Sequence, residues 1–171
     1  MAQAQKRIII KLSGEALGSG GRLFDHQAFT SAAKMLMAVQ QSGVQLAVVI
    51  GGGNVWRGRR GDALQMGAVA ADQIGMLATL QNCLYMKDSL TELGAPATVM
   101  SAVDMPRFAR PYQTAEAITL LSQGQILLLA CGTGNPFFST DSAVVLRALE
   151  LECDAVYMAK NVDGVYTADP V

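Results

Sequence analysis

The sequence predicts an α/β fold, a mainly parallel sheet with helices on both faces, and two observations lead there. Three aliphatic runs, Ile8-Ile9-Ile10, Ala47-Val48-Val49-Ile50 and residues 126–131, each stop at a loop of small residues. Between them lie stretches whose apolar residues recur at helical spacing, and strands alternating with helices require the crossovers that make a sheet parallel. Ligands of such sheets gather at the carboxyl ends of the strands, where all three small-residue loops lie.

Each element has its own signal. Residues 6–13 read as the first strand, and the loop Gly18-Ser19-Gly20-Gly21 as flexible. Asp25 is a candidate N-cap for a helix whose face carries Phe29, Ala32, Ala33, Leu36 and Met37, with Gly43 as its stop. Residues 44–50 form a buried strand. Residues 68–93 are mostly helical, with Met76, Leu77, Leu80 and Leu84 as an apolar stripe and Gly94 as terminator. A strand over 96–101, a helix over 114–123 and the most strand-like run, 125–131, follow. Ser139 or Thr140 caps a helix over 140–150; residues 154–159 are the last strand, and 162–171 a loop or ribbon.

Composition narrows the function. With 171 residues, 51% of them hydrophobic, the chain has the material for one domain with a substantial core. Thirteen basic against fourteen acidic side chains give a net charge of −1, without the basic excess of a nucleic-acid binder. A small anionic ligand held by a few placed cations fits better. The polar start, with only a short apolar stretch behind it, matches neither a signal peptide nor a membrane span, so a cytoplasmic protein is expected. Cys83, Cys131 and Cys153 are widely spaced in apolar surroundings and read as buried free thiols. The single histidine, His26, excludes a histidine-rich metal site, makes a Ser-His-Asp hydrolase improbable and reads as a surface residue at a helix start.

The loops carry the chemical clue. A strand ending in glycine lets backbone N–H groups approach anionic oxygens, and a helix terminus behind it adds partial positive charge. The Walker motif is absent, since no glycine is followed by lysine, and Gly132-Thr133-Gly134 lacks the third glycine of the dinucleotide fingerprint. Lys11, beside Ser13 and Gly14, can reach phosphate oxygens as a movable point charge, and Arg57, beyond Gly53, can add a bidentate grip. Arg59 and Arg60 read as solvated, and Trp56 as a hydrophobic lid. Thr133, Asn135, Ser139 and Thr140 surround a turn at Pro136, and Phe137 and Phe138 supply apolar walls, a mixture suited to a nucleobase. Asp141 is either a first-turn acid complementing the helix dipole or the partner of Lys11 or of a magnesium-bound phosphate. Asp72, in an otherwise apolar helix, can accept hydrogen bonds from ribose hydroxyls if it sits at a cleft.

Lys11-Leu12-Ser13-Gly14-Glu15, Gly51-Gly52-Gly53-Asn54 with Arg57-Gly58, residues 132–138 and Val162-Asp163-Gly164-Val165-Tyr166 together resemble the bacterial uridylate kinases of the amino acid kinase superfamily. The resemblance runs from Lys6 to Pro170. It implies a three-layer α/β/α sandwich, phosphoryl transfer from ATP to UMP with magnesium brought by ATP, a homohexamer, activation by GTP and inhibition by UTP. It gives Lys11, Arg57 and Asp141 the catalytic positions. Lys11, Leu12, Ser13, Gly14, Gly53, Arg57, Asn161, Tyr166 and Asp169 would face ATP. Gly52, Asp72, Thr133, Gly134, Asn135, Pro136, Phe137, Phe138, Ser139 and Thr140 would hold UMP. Residues 18–24 fall where the family has its GTP-responsive region, and Ala68 stands where it usually has arginine. On this resemblance 1–171 is a single domain, the monophosphate-binding portion, and the family's ATP lobe continues past Val171. The rival readings are a superfamily kinase with a carboxylate or carbamate acceptor, and a nucleotide-binding storage or regulatory protein on the same fold.

Overall fold

Alternation along the strands decides which helix packs where. In the computed structural model, which describes residues 6–57 and 65–159, six strands run β1 (Arg7–Leu12), β2 (Gln45–Ile50), β3 (Ala97–Ser101), β4 (Arg110–Pro111), β5 (Ile126–Ala130) and β6 (Ala155–Ala159). Four helices join them: α1 (His26–Gln41), α2 (Ala68–Glu92), α3 (Thr114–Ser122) and α4 (Thr140–Glu150). Ile8, Ile10, Val48, Ile50 and Leu128 point to a core shared with Phe29 and Leu36 of α1 and with Met86 and Leu90 of α2. Their neighbours Ile9, Ala47, Val49, Leu127 and Leu129 point to the opposite core, closed by Leu121 of α3 and by Val144 and Ala148 of α4. The period of two thus builds the three layers.

The strand order is β4-β3-β5-β2-β1-β6, and every pairing in it is parallel. The loops leaving the carboxyl ends of β1, β2 and β5 therefore emerge along one edge.

Several expectations need adjustment. β4, two residues opposite Met100 and Ser101, was not anticipated, because so short a strand has no pattern to read. Nor was the 3-10 turn Gly14–Leu17 behind β1. Leu77, counted in the apolar stripe of α2, is 46% exposed, while Thr79, Asn82 and Ser89 of that helix are buried. Cys83 and Cys131 are buried free thiols, but Cys153 is only half-buried. The expected ribbon at 162–171, with Tyr166 and Asp169, lies outside the described residues, as do Gly58, Arg59, Arg60 and Asn161.

The 18–21 loop closes into a tight turn bridged between Ser19 and Arg22. Asp25 anchors it: the carboxylate caps α1 by accepting from the Ala28 N–H at 3.0 Å and also accepts from Ser19 Oγ and Arg22, each at 2.8 Å. These bonds, led by the Ala28 N–H, hold the carboxyl below its ordinary value of 3.8. A depressed folded-state pKa contributes stability above the unfolded value and loses it as pH falls through the folded one. Urea midpoints measured between pH 7 and 3 should therefore drop below pH 4 more steeply for the parent than for Asp25→Asn; identical profiles would remove this role.

Candidate functional site

Three loops meet on the sheet edge. A methyl group placed on Gly14 would sit 2.3 Å from the carbonyl oxygen of Gly51, and one on Gly51 would sit 3.7 Å from Thr140 Oγ1. The loops after β1 and β2 thus touch, backbone against backbone where glycine allows it, and the Thr140 hydroxyl at the start of α4 lies close beside them. Lys11 follows the parity of Ile9, so its side chain leaves β1 toward α4. There its Nζ lies 3.1 Å from Asp141 Oδ1, the lysine side chain 10% exposed and the aspartate 40%. Asp141 is in the first turn of α4, and Ser139 caps that helix by accepting from the Ser142 N–H at 3.1 Å. The pair sets a nearly buried ammonium against a half-exposed carboxylate at the rim.

Beside this pair opens a cleft of about 150 Å³ lined by Gly52, Trp56, Asp72, Thr79, Gly132, Thr133, Asn135, Phe138 and Thr140, among others. It is smaller than the roughly 300–1,000 Å³ of closed ligand pockets, so it receives part of a ligand and leaves the rest on the rim. Of the residues expected around a nucleotide monophosphate, Gly52, Asp72, Thr133, Asn135, Phe138 and Thr140 line it. Gly134 and Pro136 instead line an adjoining apolar groove with Met76, Leu77, Val103 and Met105. Phe137 is 73% exposed and contributes its backbone N–H, which donates to Asp72 Oδ2 at 2.6 Å. Ser139 is committed to its cap. The Trp56 indole N–H meets no acceptor among the described residues.

Next to the 18–22 turn, Glu15, Gly53, Asn54 and Arg57 line a polar recess. Arg57 reaches Glu15 Oε1 at 2.9 Å, both side chains well exposed. Such an exposed pair contributes little to stability, so the guanidinium can leave it at small cost.

Helix α2 underpins the rim. Asp72 holds the β5–α4 loop at Phe137; Thr79 Oγ1 accepts the Cys131 N–H at 2.8 Å; Asn82 Nδ2 donates to the Gly51 carbonyl at 2.7 Å. Cys131 has a φ of 64°, left-handed backbone that costs a non-glycine residue of order 1 kcal/mol or more, and Phe137 has 68°. Two of the four non-glycine residues with positive φ among the described residues thus lie in the loop that walls the cleft. Cys131 also lines that cleft, but burial pushes its thiol up, so it stays protonated and is no nucleophile at neutral pH. Buried Arg147, stacked on the Tyr112 ring at 4.0 Å, donates to the Gly132 carbonyl at 3.3 Å. Thr79, Asn82, Arg147 and Glu15 were not anticipated as supports of the site. Polar residues at positions 72, 79 and 82, on one side of an apolar helix, were the available signal.

Comparison with known proteins agrees with this geometry. Residues 6–171 match the model of the amino acid kinase family. A uridylate kinase of Pediococcus pentosaceus is 47% identical over 167 residues, covering 96% of this chain and 69% of the relative. The crystal structure of the UMP kinase from Ureaplasma parvum superposes with a TM-score of 0.92 at 32% identity, covering 98% of this chain and 72% of that one. That of the UMP kinase from Bacillus anthracis gives 0.91 at 36%, covering 98% and 70%. The chain belongs to the amino acid kinase family.

Proposed function

We propose that this chain transfers the γ-phosphoryl group of ATP to UMP, giving UDP and ADP, as a nucleoside monophosphate kinase of pyrimidine nucleotide synthesis. The observation that carries this reading is the Lys11–Asp141 pair on the same rim as a cleft with one carboxylate, several hydroxyls and an aromatic wall. UMP occupies the cleft: Asp72 accepts from the ribose hydroxyls, Thr133, Asn135 and Thr140 meet polar edges, and Phe138 covers the base. ATP lies across Leu12, Ser13, Gly14, Gly53 and Arg57. In this reading residues 1–171 form one domain.

A phosphate oxygen of UMP attacks the γ-phosphorus in line; the new O–P bond forms as the bond to the β-phosphate oxygen breaks, and ADP leaves with that electron pair. A phosphate monoester has a second pKa near 6, so the attacking oxygen is already ionised and no general base is required. Catalysis is alignment and charge cancellation, supplied by Lys11, Arg57 and the loop amides. Magnesium brought by ATP would supply neutralisation of the phosphate charge when bound. Asp141, in the first turn of α4, is the carboxylate that would be at hand for such an ion; among the described residues no group of three or more His, Cys, Asp or Glu side chains could hold a metal. Activation by GTP at the 18–24 turn, inhibition by UTP and a homohexamer belong to the same reading. Among the described residues no helix is long and apolar enough to cross a membrane.

The test is an acceptor panel with the purified full-length protein, ATP and magnesium. UMP should give UDP with a kcat/KM at least about a hundredfold above that for CMP, carbamate or an amino-acid carboxylate. Preference for a carboxylate or carbamate, or tight nucleotide binding without turnover, would replace this proposal by one of its rivals.

A further inference from the structure

Asn82 is fully buried in α2, and a buried primary amide is costly unless its donors are met. Here they are all met. Asn82 Nδ2 donates to the Gly51 carbonyl and to Asn54 Oδ1, both at 2.7 Å. Asn54 Nδ2 returns a bond to Asn82 Oδ1 at 3.0 Å and sends its second N–H to the Leu23 carbonyl at 2.7 Å. Each amide thus spends one N–H on its partner and one on a backbone carbonyl. Flipping either would set oxygen against oxygen, so the pair has a single arrangement.

What the pair joins is the two halves of the rim. Gly51 begins the loop after β2, and Leu23 ends the turn that follows β1. Asn54 is wedged between them: a methyl on Gly14 would lie 2.7 Å from its Oδ1, and one on Gly18 would lie 3.2 Å from its Cβ. Arg57 and Glu15 bridge the same two loops, but on the open surface. Neither asparagine lines the acceptor cleft; Asn54 borders the polar recess beside Gly53 and Arg57, whereas Asn82 is fully buried.

We propose that Asn82 and Asn54 are positioning residues for phosphoryl transfer, a buried amide clamp that holds the loops after β1 and β2 as one rigid cradle for the phosphates. The proposal rests on the kinase reading. In-line transfer depends on sub-ångström alignment, and a displacement of about 1 Å can cost on the order of a hundredfold in rate. The clamp therefore acts on kcat rather than on acceptor affinity.

The experiment uses the full-length enzyme with Asn82→Asp, Asn82→Ala, Asn54→Ala and the double alanine variant. Asn82→Asp keeps the volume and removes both donors, separating lost hydrogen bonds from a cavity. Amide hydrogen exchange in Asn82→Asp should quicken together in 13–24 and 50–56, with 131–139 unchanged. At a temperature where every variant is folded, kcat should fall about tenfold to a hundredfold while KM for UMP stays within about threefold. The double variant should be no worse than the worse single one. Exchange that quickens in 50–56 alone, a kcat within twofold of the parent, or single losses that multiply in the double variant would each overturn the proposal. If the parent forms no UDP at all, the kinase reading fails separately, and the exchange data still decide: joint loosening supports the clamp, and independent loops refute it.

Discussion

Lys11→Ala should reduce kcat for UDP formation by about a hundredfold to a thousandfold, the usual effect of deleting one preorganised charge that meets the transition state. The argument is positional. Lys11 ends a central strand with its side chain 10% exposed and its ammonium 3.1 Å from Asp141, so the charge is fixed before substrate arrives and costs little reorganisation during transfer. Lys11 is not among the residues lining the cleft, so KM for UMP should move by less than about threefold while kcat collapses. Lys11→Met keeps the aliphatic stem in its packing and should melt close to the parent. Its activity should still match that of Lys11→Ala, which places the loss in the charge and not in the fold. Lys11→Arg should also be poor, because a planar fork does not fit where a compact ammonium sits against one carboxylate. Steady-state kinetics with isothermal titration of UMP into each variant checks this; turnover of Lys11→Met within about fivefold of the parent would remove Lys11 from the mechanism.

The pair at the centre of that prediction was half legible. Lys11 could be singled out from its place before Ser13 and Gly14, whereas Asp141 had two equal readings until parity and the register of β1 set the lysine toward α4. Helix starts were readable: Asp25 caps as expected, and of the two candidates Ser139 and Thr140 it is Ser139 that caps. Helix ends were readable at Gly43 and Gly94, with φ of 87° and 76°. Burial along α2 was not, since apolar residues surround that helix almost evenly and no phase marks the inward face. Leu77 was misassigned for that reason. The supports Thr79 and Asn82 escaped because their partners are fixed by topology: Cys131 lies 52 positions from Thr79, and Asn54 lies 28 from Asn82. Pattern within an element says nothing about such distances.

The second large effect is expected at Gly14. Its backbone is not in the left-handed region, so an alanine there meets no conformational penalty, and the obstacle is space alone. The added methyl would lie 2.3 Å from the Gly51 oxygen, 2.8 Å from the Gly51 carbonyl carbon and 2.7 Å from Asn54 Oδ1. A flexible side chain could swing away, but a carbonyl at the end of β2 cannot. Gly51 O is held by Asn82, and the Gly51 N–H donates to Leu12 O at 2.9 Å. The loops after β1 and β2 must therefore part, at a cost of at least about 3 kcal/mol, the upper range for overpacking. For a chain of this length that lowers the melting temperature by about 10 °C. Parting the loops would also separate the amides proposed to face the ATP phosphates, so Gly14→Ala should lose activity even well below its melting point, with KM for ATP rising more than KM for UMP. Gly67→Ala is the control: it has a φ of −61° and, among the described residues, no atom within 4 Å of the added methyl, so its melting temperature and kinetics should stay near those of the parent. If Gly14→Ala behaves like Gly67→Ala, the loops are not in the contact that brings donor and acceptor together, and the shared rim is no longer the seat of the reaction.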